Sequence, residues 1–154
     1  MNLKQFDFDD CIREGLLRKI PPSKEKAEGS IKAAGRWLEE AETNLKNGTL
    51  NSAALSAYLA MFHSARAILF FDGFREKSHY CIARYLEENY AKKNLLENKW
   101  VELLDHNREL RHTSQYDISF FTSKEEAESM IKTAKDFVER IKTLLKKKEG
   151  KTVT

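Results

Sequence analysis

The sequence predicts an all-α fold, an up-down bundle of four to five helices. Three observations carry this. The chain leans toward Ala, Leu, Glu and Lys, with only six Gly and two Pro in 154 residues, a composition that favours helix. Apolar residues recur at three- and four-residue steps through its long segments. No stretch gives a strand signal, and no internal repeat is visible.

The elements follow in order. A short amphipathic segment spans about Asp9–Lys19, and the tandem Pro21-Pro22 breaks it. Ser23 suits the N-cap of the next helix, whose apolar stripe is Ala27, Ile31, Ala34, Leu38, Ala41 and Leu45, widened by Trp37. Arg36, Glu39, Glu40 and Glu42 form its outer face, and Asn47-Gly48 stops it. A helix from about Asn51 to Phe71 is apolar nearly all round, so it is read as buried, and Asp72-Gly73 ends it. Ser78 caps a shorter helix through Tyr90, with Tyr80, Ile82, Ala83 and Leu86 as core candidates. A fourth long helix begins near Asn94 and uses Leu95, Leu96, Trp100, Leu103, Leu104 and Leu110. The pattern loosens around Tyr116–Phe121. Ser123 and Glu126 then form a capping box for a final helix with Ala127, Met130, Ile131, Ala134, Phe137, Val138, Ile141, Leu144 and Leu145 on one face.

The length suits one domain, divided into an N-terminal helical segment (1–19), the bundle (20–146) and a basic tail (147–154). Lys146, Lys147, Lys148 and Lys151 read most simply as a solvated helix end matched to the dipole. The composition is 41% hydrophobic and 33% charged, with a formal net charge of +3. That balance neither demands nor excludes an acidic partner such as nucleic acid. Cys11 and Cys81 are too few and too far apart to suggest a disulfide framework or a metal site, and read as reduced thiols of a cytoplasmic protein. The acidic N-terminus lacks the pattern of a signal peptide. Residues 53–71 come nearest to a membrane span, but His63 and Arg66 lie in the middle, so no membrane insertion is expected.

Two segments hold the candidate chemistry. His63 and Arg66 lie on the buried helix and must find polar partners or a cleft; Asp105, Asp117, Tyr116 or a Glu of a neighbouring helix could serve. Residues 103–117 (LLDHNRELRHTSQYD) are the natural supplier. Asp105, Arg108 and His112 are spaced i, i+3 and i+7 and share one helical face. Arg suits a scissile phosphate and His a proton transfer, with Asp105 orienting either. The competing reading, more common on spacing alone, is a solvated face with an Asp–Arg pair worth a few tenths of a kcal/mol. Arg111 could clamp a phosphate or pair with Asp117, and Tyr116 could stack; equally, they are a C-terminal arginine and a packed tyrosine. His79, beside Ser78, either joins the cluster or finishes a helix terminus. No cofactor or metal is expected, because no phosphate-binding glycine loop, zinc-ligand spacing or nucleophile elbow occurs.

Four stretches together resemble the HEPN domain, and most closely its small stand-alone archaeal and bacterial members. They are KIPPSKEKAEGSIKAAGRWLEEAE (19–42), AYLAMFHSARAILFFDGFREKSHY (57–80), LRHTSQYD (110–117) and TSKEEAESMIKTAKDFVERIKTLL (122–145). The resemblance covers about Ile20 to Leu145. It implies a HEPN-like bundle that forms homodimers, RNA or nucleotide binding, and toxin–antitoxin biology beside a minimal nucleotidyltransferase. Active members of the family are metal-independent endoribonucleases with an Arg, usually followed by a polar residue, and a His after four to six intervening residues. Here Arg108 and His112 have three residues between them, and counting back from His112 with four residues intervening lands on Asn107. The motif is therefore degenerate in this chain. Carried over residue by residue, the resemblance makes Arg108 and His112 the catalytic candidates, with Arg111, Tyr116, Arg66 and His63 as nucleotide- or RNA-binding candidates. Asp105, Asn107, Asp117 and His79 take supporting places. In some family pairs the nucleotidyltransferase modifies a tyrosine near the motif, and Tyr116 is the matching position. The alternative is a noncatalytic substrate-binding or dimerisation subunit.

Overall fold

The structure is a computed structural model that describes residues 6–119 and 121–152, apart from the side chains of Ser114, Gln115, Lys151 and Thr152. Lys151, the last lysine of the tail, is thus outside the described side chains. Among the described residues six helices follow one another: α1 (Phe8–Arg13), α2 (Lys24–Lys46), α3 (Leu50–Asp72), α4 (His79–Leu86), α5 (Asn98–Tyr116) and α6 (Lys124–Thr152). A π-helical turn, Glu87–Ala91, extends α4.

Helix α3 is the centre of the bundle, packed against α2, α4, α5 and α6. Many of its buried residues are small: Ala53, Ala54, Ala57, Ala60, Ala65 and Ala67. On α2 the fully buried positions are Ala27, Ala34 and Ala41, seven residues apart, while Ile31, Leu38 and Leu45 pack from the sides. Small residues facing small residues bring the two helix backbones close. From α6, Ile131, Ala134, Phe137, Val138 and Ile141 close the core. Helix α3 is the one described helix long and apolar enough to cross a membrane, and 67% of its most apolar stretch is buried inside the bundle.

The helix ends follow local rules. Ser23 Oγ accepts from the Lys26 N–H and Ser123 Oγ from the Glu126 N–H. Gly73 ends α3 at φ +91°, where a Cβ would come within 2.8 Å of the Ile20 carbonyl. Only glycine allows that approach, and it lets Ile20 N–H donate to the Gly73 carbonyl and Ser23 N–H to that of Phe70.

The structure departs from the sequence reading in four places. Leu17–Lys19 (β1) and Phe74–Glu76 (β2) form an antiparallel ribbon in register Leu17↔Glu76, Arg18↔Arg75, Lys19↔Phe74; three residues are too few to display a period of two. Cys11 and Cys81 are not free thiols but a disulfide. Packing of α1 on α4 brings their Cα atoms to 5.9 Å across 70 residues of sequence, within bridging range. Helix α5 begins at Asn98 rather than near Asn94, which takes a left-handed φ of 58° and breaks the path from the π turn. Lys148 is not a solvated tail residue. It lies on α6, 2.9 Å from Asp72 and over the Tyr90 ring, and Asp72 also accepts from Tyr85 and Tyr90 hydroxyls.

Candidate functional site

Where α4 begins against the middle of α5, Ser78, His79, Tyr80, Arg108, Glu109, Arg111, His112 and Thr113 line an open cleft of about 480 Å³. Ser78 is extended and turns the chain from β2 into α4, so the next two side chains, His79 and Tyr80, reach the cleft wall. The i, i+3 and i+7 spacing of α5 brings Asp105 and Arg108 together as the sequence predicts.

Asp105 is bracketed by two guanidinium groups. Its Oδ1 accepts from Arg108 Nη1 at 2.7 Å and its Oδ2 from Arg84 Nη2 at 2.5 Å. Both cations also lie against the ring of Tyr80, at 4.9 and 4.6 Å from its centroid. The Tyr80 hydroxyl donates to the Phe6 carbonyl. Arg108 is thereby held at the cleft edge by a carboxylate and an aromatic face.

Arg111 is held differently. Its Nη1 lies 2.9 Å from His79 Nδ1, and the Tyr58 hydroxyl lies 2.9 Å from the same nitrogen. A guanidinium has no acceptor, so Nδ1 accepts both bonds and the imidazole proton sits on Nε2. The His79 ring stacks on Phe62 with centroids 4.0 Å apart. Burial, then the charges of Arg111, Arg66 and Arg108, push its pKa down to about 4, so it is neutral near pH 7. Burial pushes Tyr58 up to about 12, so it keeps its proton and donates.

This arrangement gives a pH dependence. Unfolded, His79 binds its proton near pH 6.5; folded, it does so only near 4. Between these values the unfolded chain holds more protons, and stability falls as pH falls from about 6.5 to 4. The full shift corresponds to about 3 kcal/mol, which solvent around a half-buried ring reduces to roughly 1–2 kcal/mol. His63, also lowered by burial and by Arg66 and Arg36, adds in the same direction. Denaturant melts between pH 7 and 4 should show this acid limb in the native chain. His79→Gln should be less stable at pH 7 and lose less on acidification; parallel curves would contradict it.

The remaining sequence candidates disperse. His112 is exposed on the cleft wall, its ring 4.8 Å from that of Tyr116, which is 70% exposed. Arg66 does not draw its partner from residues 103–117: it pairs with Glu76 of β2 at 2.8 Å and lies over Phe62 and Phe70. His63 is half-buried, edge-on to Phe62. Both therefore stand behind the cleft, separated from it by Phe62. Asn107 is buried, donates to the Leu103 carbonyl and lines a groove toward α6. Asp117 lies past the end of α5 and accepts from the Ser119 N–H and hydroxyl, not from Arg111. Sequence reasoning missed Tyr58, Phe62 and Arg84 as parts of the site. Tyr58 and Phe62 look like ordinary core residues of an apolar helix, and Arg84 is 21 residues from Asp105. Among the described residues no three His, Cys, Asp or Glu side chains converge as a metal site requires.

Together these features define an all-α bundle with a guanidinium-rich cleft between its fourth and fifth helices. The family model described as the HEPN domain matches residues 27–144, and the chain belongs to the HEPN family. It is 30% identical over 123 residues to a "Putative toxin" of Methanocaldococcus jannaschii, covering 80% of this chain and 91% of that protein. A second "Putative toxin" of the same organism is 29% identical over 79% of this chain and 83% of its own length. A "UPF0332 protein" of Pyrococcus horikoshii is 30% identical over 54% of this chain and 59% of its own.

Proposed function

We propose that the α4–α5 cleft binds the phosphodiester backbone of RNA and that the chain is a metal-independent endoribonuclease of the toxin type. The observation that carries this is the convergence of Arg108, Arg111 and His112 on one open cleft. Two guanidinium groups, each fixed from behind, suit a phosphate and the charge that develops on it during cleavage. His112 reaches the cleft from the solvent side and is the group to move a proton. The toxin reading also draws on the names of the Methanocaldococcus relatives. With it go a homodimer that joins two clefts, a minimal nucleotidyltransferase partner and a cytoplasmic site of action. The exposed Tyr116 ring is accessible to such a partner, and the fully buried Cys11–Cys81 bond is shielded from attacking thiols.

One observation favours a second reading, a noncatalytic binding subunit. Arg108 and Arg111 already have intramolecular partners, Asp105 and His79, and His112 sits one residue short of the family spacing. Purified protein incubated with RNA in EDTA separates the two. Cleavage that drops 10²–10⁴-fold in His112→Ala, and that Arg108→Ala also impairs, supports the nuclease. Intact RNA together with binding that survives His112→Ala assigns the binding subunit. Neither cleavage nor binding removes the proposal.

A further inference from the structure

The β1–β2 ribbon carries a charge arrangement that the cleft does not use. Arg18 and Arg75 are direct cross-strand partners, both exposed, and Lys19 and Lys77 at the ribbon's ends are exposed as well. Like charges placed opposite each other across a strand pair are unfavourable. Among the described residues no carboxylate forms an ion pair with any of the four, and Arg18 Nε donates only to the Gly15 carbonyl. Four of the acids near in sequence are otherwise engaged. Asp10 and Glu14 face Arg13 at 2.5 and 3.6 Å, and Asp7 caps α1. Glu76 points inward to Arg66.

The ribbon leads straight into the cleft. Lys77 is followed by Ser78, His79 and Tyr80, which form the cleft wall. Ser78 is three positions on from Arg75, at most about 10 Å of backbone. A single strand of a few nucleotides covers that.

We infer that the Arg18/Arg75 face, with Lys77 two residues on from Arg75, is a second nucleic-acid contact that holds the RNA backbone flanking the segment in the cleft. This rests on the cleft reading above and extends it: the substrate is single-stranded RNA longer than the few nucleotides the cleft accommodates. Paired guanidinium groups suit phosphate oxygens, and a polyanion relieves the cross-strand repulsion. The ribbon's apolar residues Leu17 and Phe74 are turned into the protein, Leu17 into the core and Phe74 against Tyr85, so the face offers nothing to insert into a lipid bilayer.

The test compares the native chain with Arg18→Gln/Arg75→Gln, using fluorescence anisotropy with 2′-O-methyl RNA of 3 and 12 nucleotides between 50 and 200 mM salt in EDTA. The expected result is a weaker 12-mer complex, about tenfold, whose log K against log salt slope is shallower by about 1.4, or about 0.7 per lost phosphate contact. Binding of the 3-mer should be unchanged. Both side chains are exposed and the substitution removes their repulsion, so the melting temperature should hold or rise, which separates this effect from misfolding. An unchanged 12-mer slope, an equal loss on both lengths, or a loss confined to phosphatidylserine vesicles overturns the ribbon contact and leaves the cleft reading standing. No binding of either RNA by the native chain overturns both.

Discussion

Reducing the Cys11–Cys81 bond is expected to lower the free energy of unfolding by about 4 kcal/mol, the loop-closure value for a crosslink spanning about 70 residues. For a chain of this length that corresponds to roughly 8–16 °C in melting temperature. The bond ties α1 to α4, two residues past His79. Its loss should therefore also loosen the contact between the Tyr80 hydroxyl and the Phe6 carbonyl. Both sulfurs are fully buried, so reductant added to the folded chain should act slowly. The clean comparison is between oxidised protein and protein reduced in denaturant and refolded with dithiothreitol. Equal stabilities would mean that the unfolded chain gains no freedom when the bond is cut. Cys11→Ala/Cys81→Ala should reproduce the loss without reductant.

Glu76→Ala is expected to cost about 3–5 kcal/mol, the range for removing one partner of a buried ion pair. The Glu76 side chain is 4% exposed and that of Arg66 23%. Burial raises the Glu76 pKa, and Arg66 offsets this only in part. Truncating the carboxylate leaves a guanidinium wedged between Phe62 and Phe70 without its counter-ion. The pair itself is poorly satisfied, since Glu76 Oε2 has no hydrogen-bond partner among the described residues. Replacing both residues, as Arg66→Met/Glu76→Leu, should recover most of the loss, because neither charge is then desolvated. Urea titrations of the three variants decide it: a double variant as unstable as Glu76→Ala would show that shape, not charge, holds the ribbon against α3.

Much of the architecture was legible because it is written locally. The seven-residue recurrence of Ala27, Ala34 and Ala41, the apolar run of α3 and the period of α6 each act within one helix, where side-chain spacing fixes the buried face. Gly73 and Ser23 signal chain ends by their own conformational and hydrogen-bonding limits. Part of the site was legible for the same reason: Asp105, Arg108 and His112 are placed by helical spacing alone, and Arg108 and His112 reach the cleft. The partners that fix them were not. His79 meeting Arg111, Arg84 meeting Asp105, and Glu76 meeting Arg66 are encounters between separate elements. No period within one segment encodes them.

The sequence by itself determined the all-α class, the buried central helix and the cluster of cationic and imidazole groups on α5, because these depend on helical geometry and on the cost of exposing apolar surface. Only the tertiary structure decided which of those groups share a cleft. It placed Phe62 between that cleft and the His63–Arg66 pair, joined Cys11 to Cys81, and made a paired ribbon of two three-residue strands. Each of those outcomes depends on how α1, α3, α4 and α5 pack against one another, and packing between distant segments leaves no mark in the order of residues along the chain.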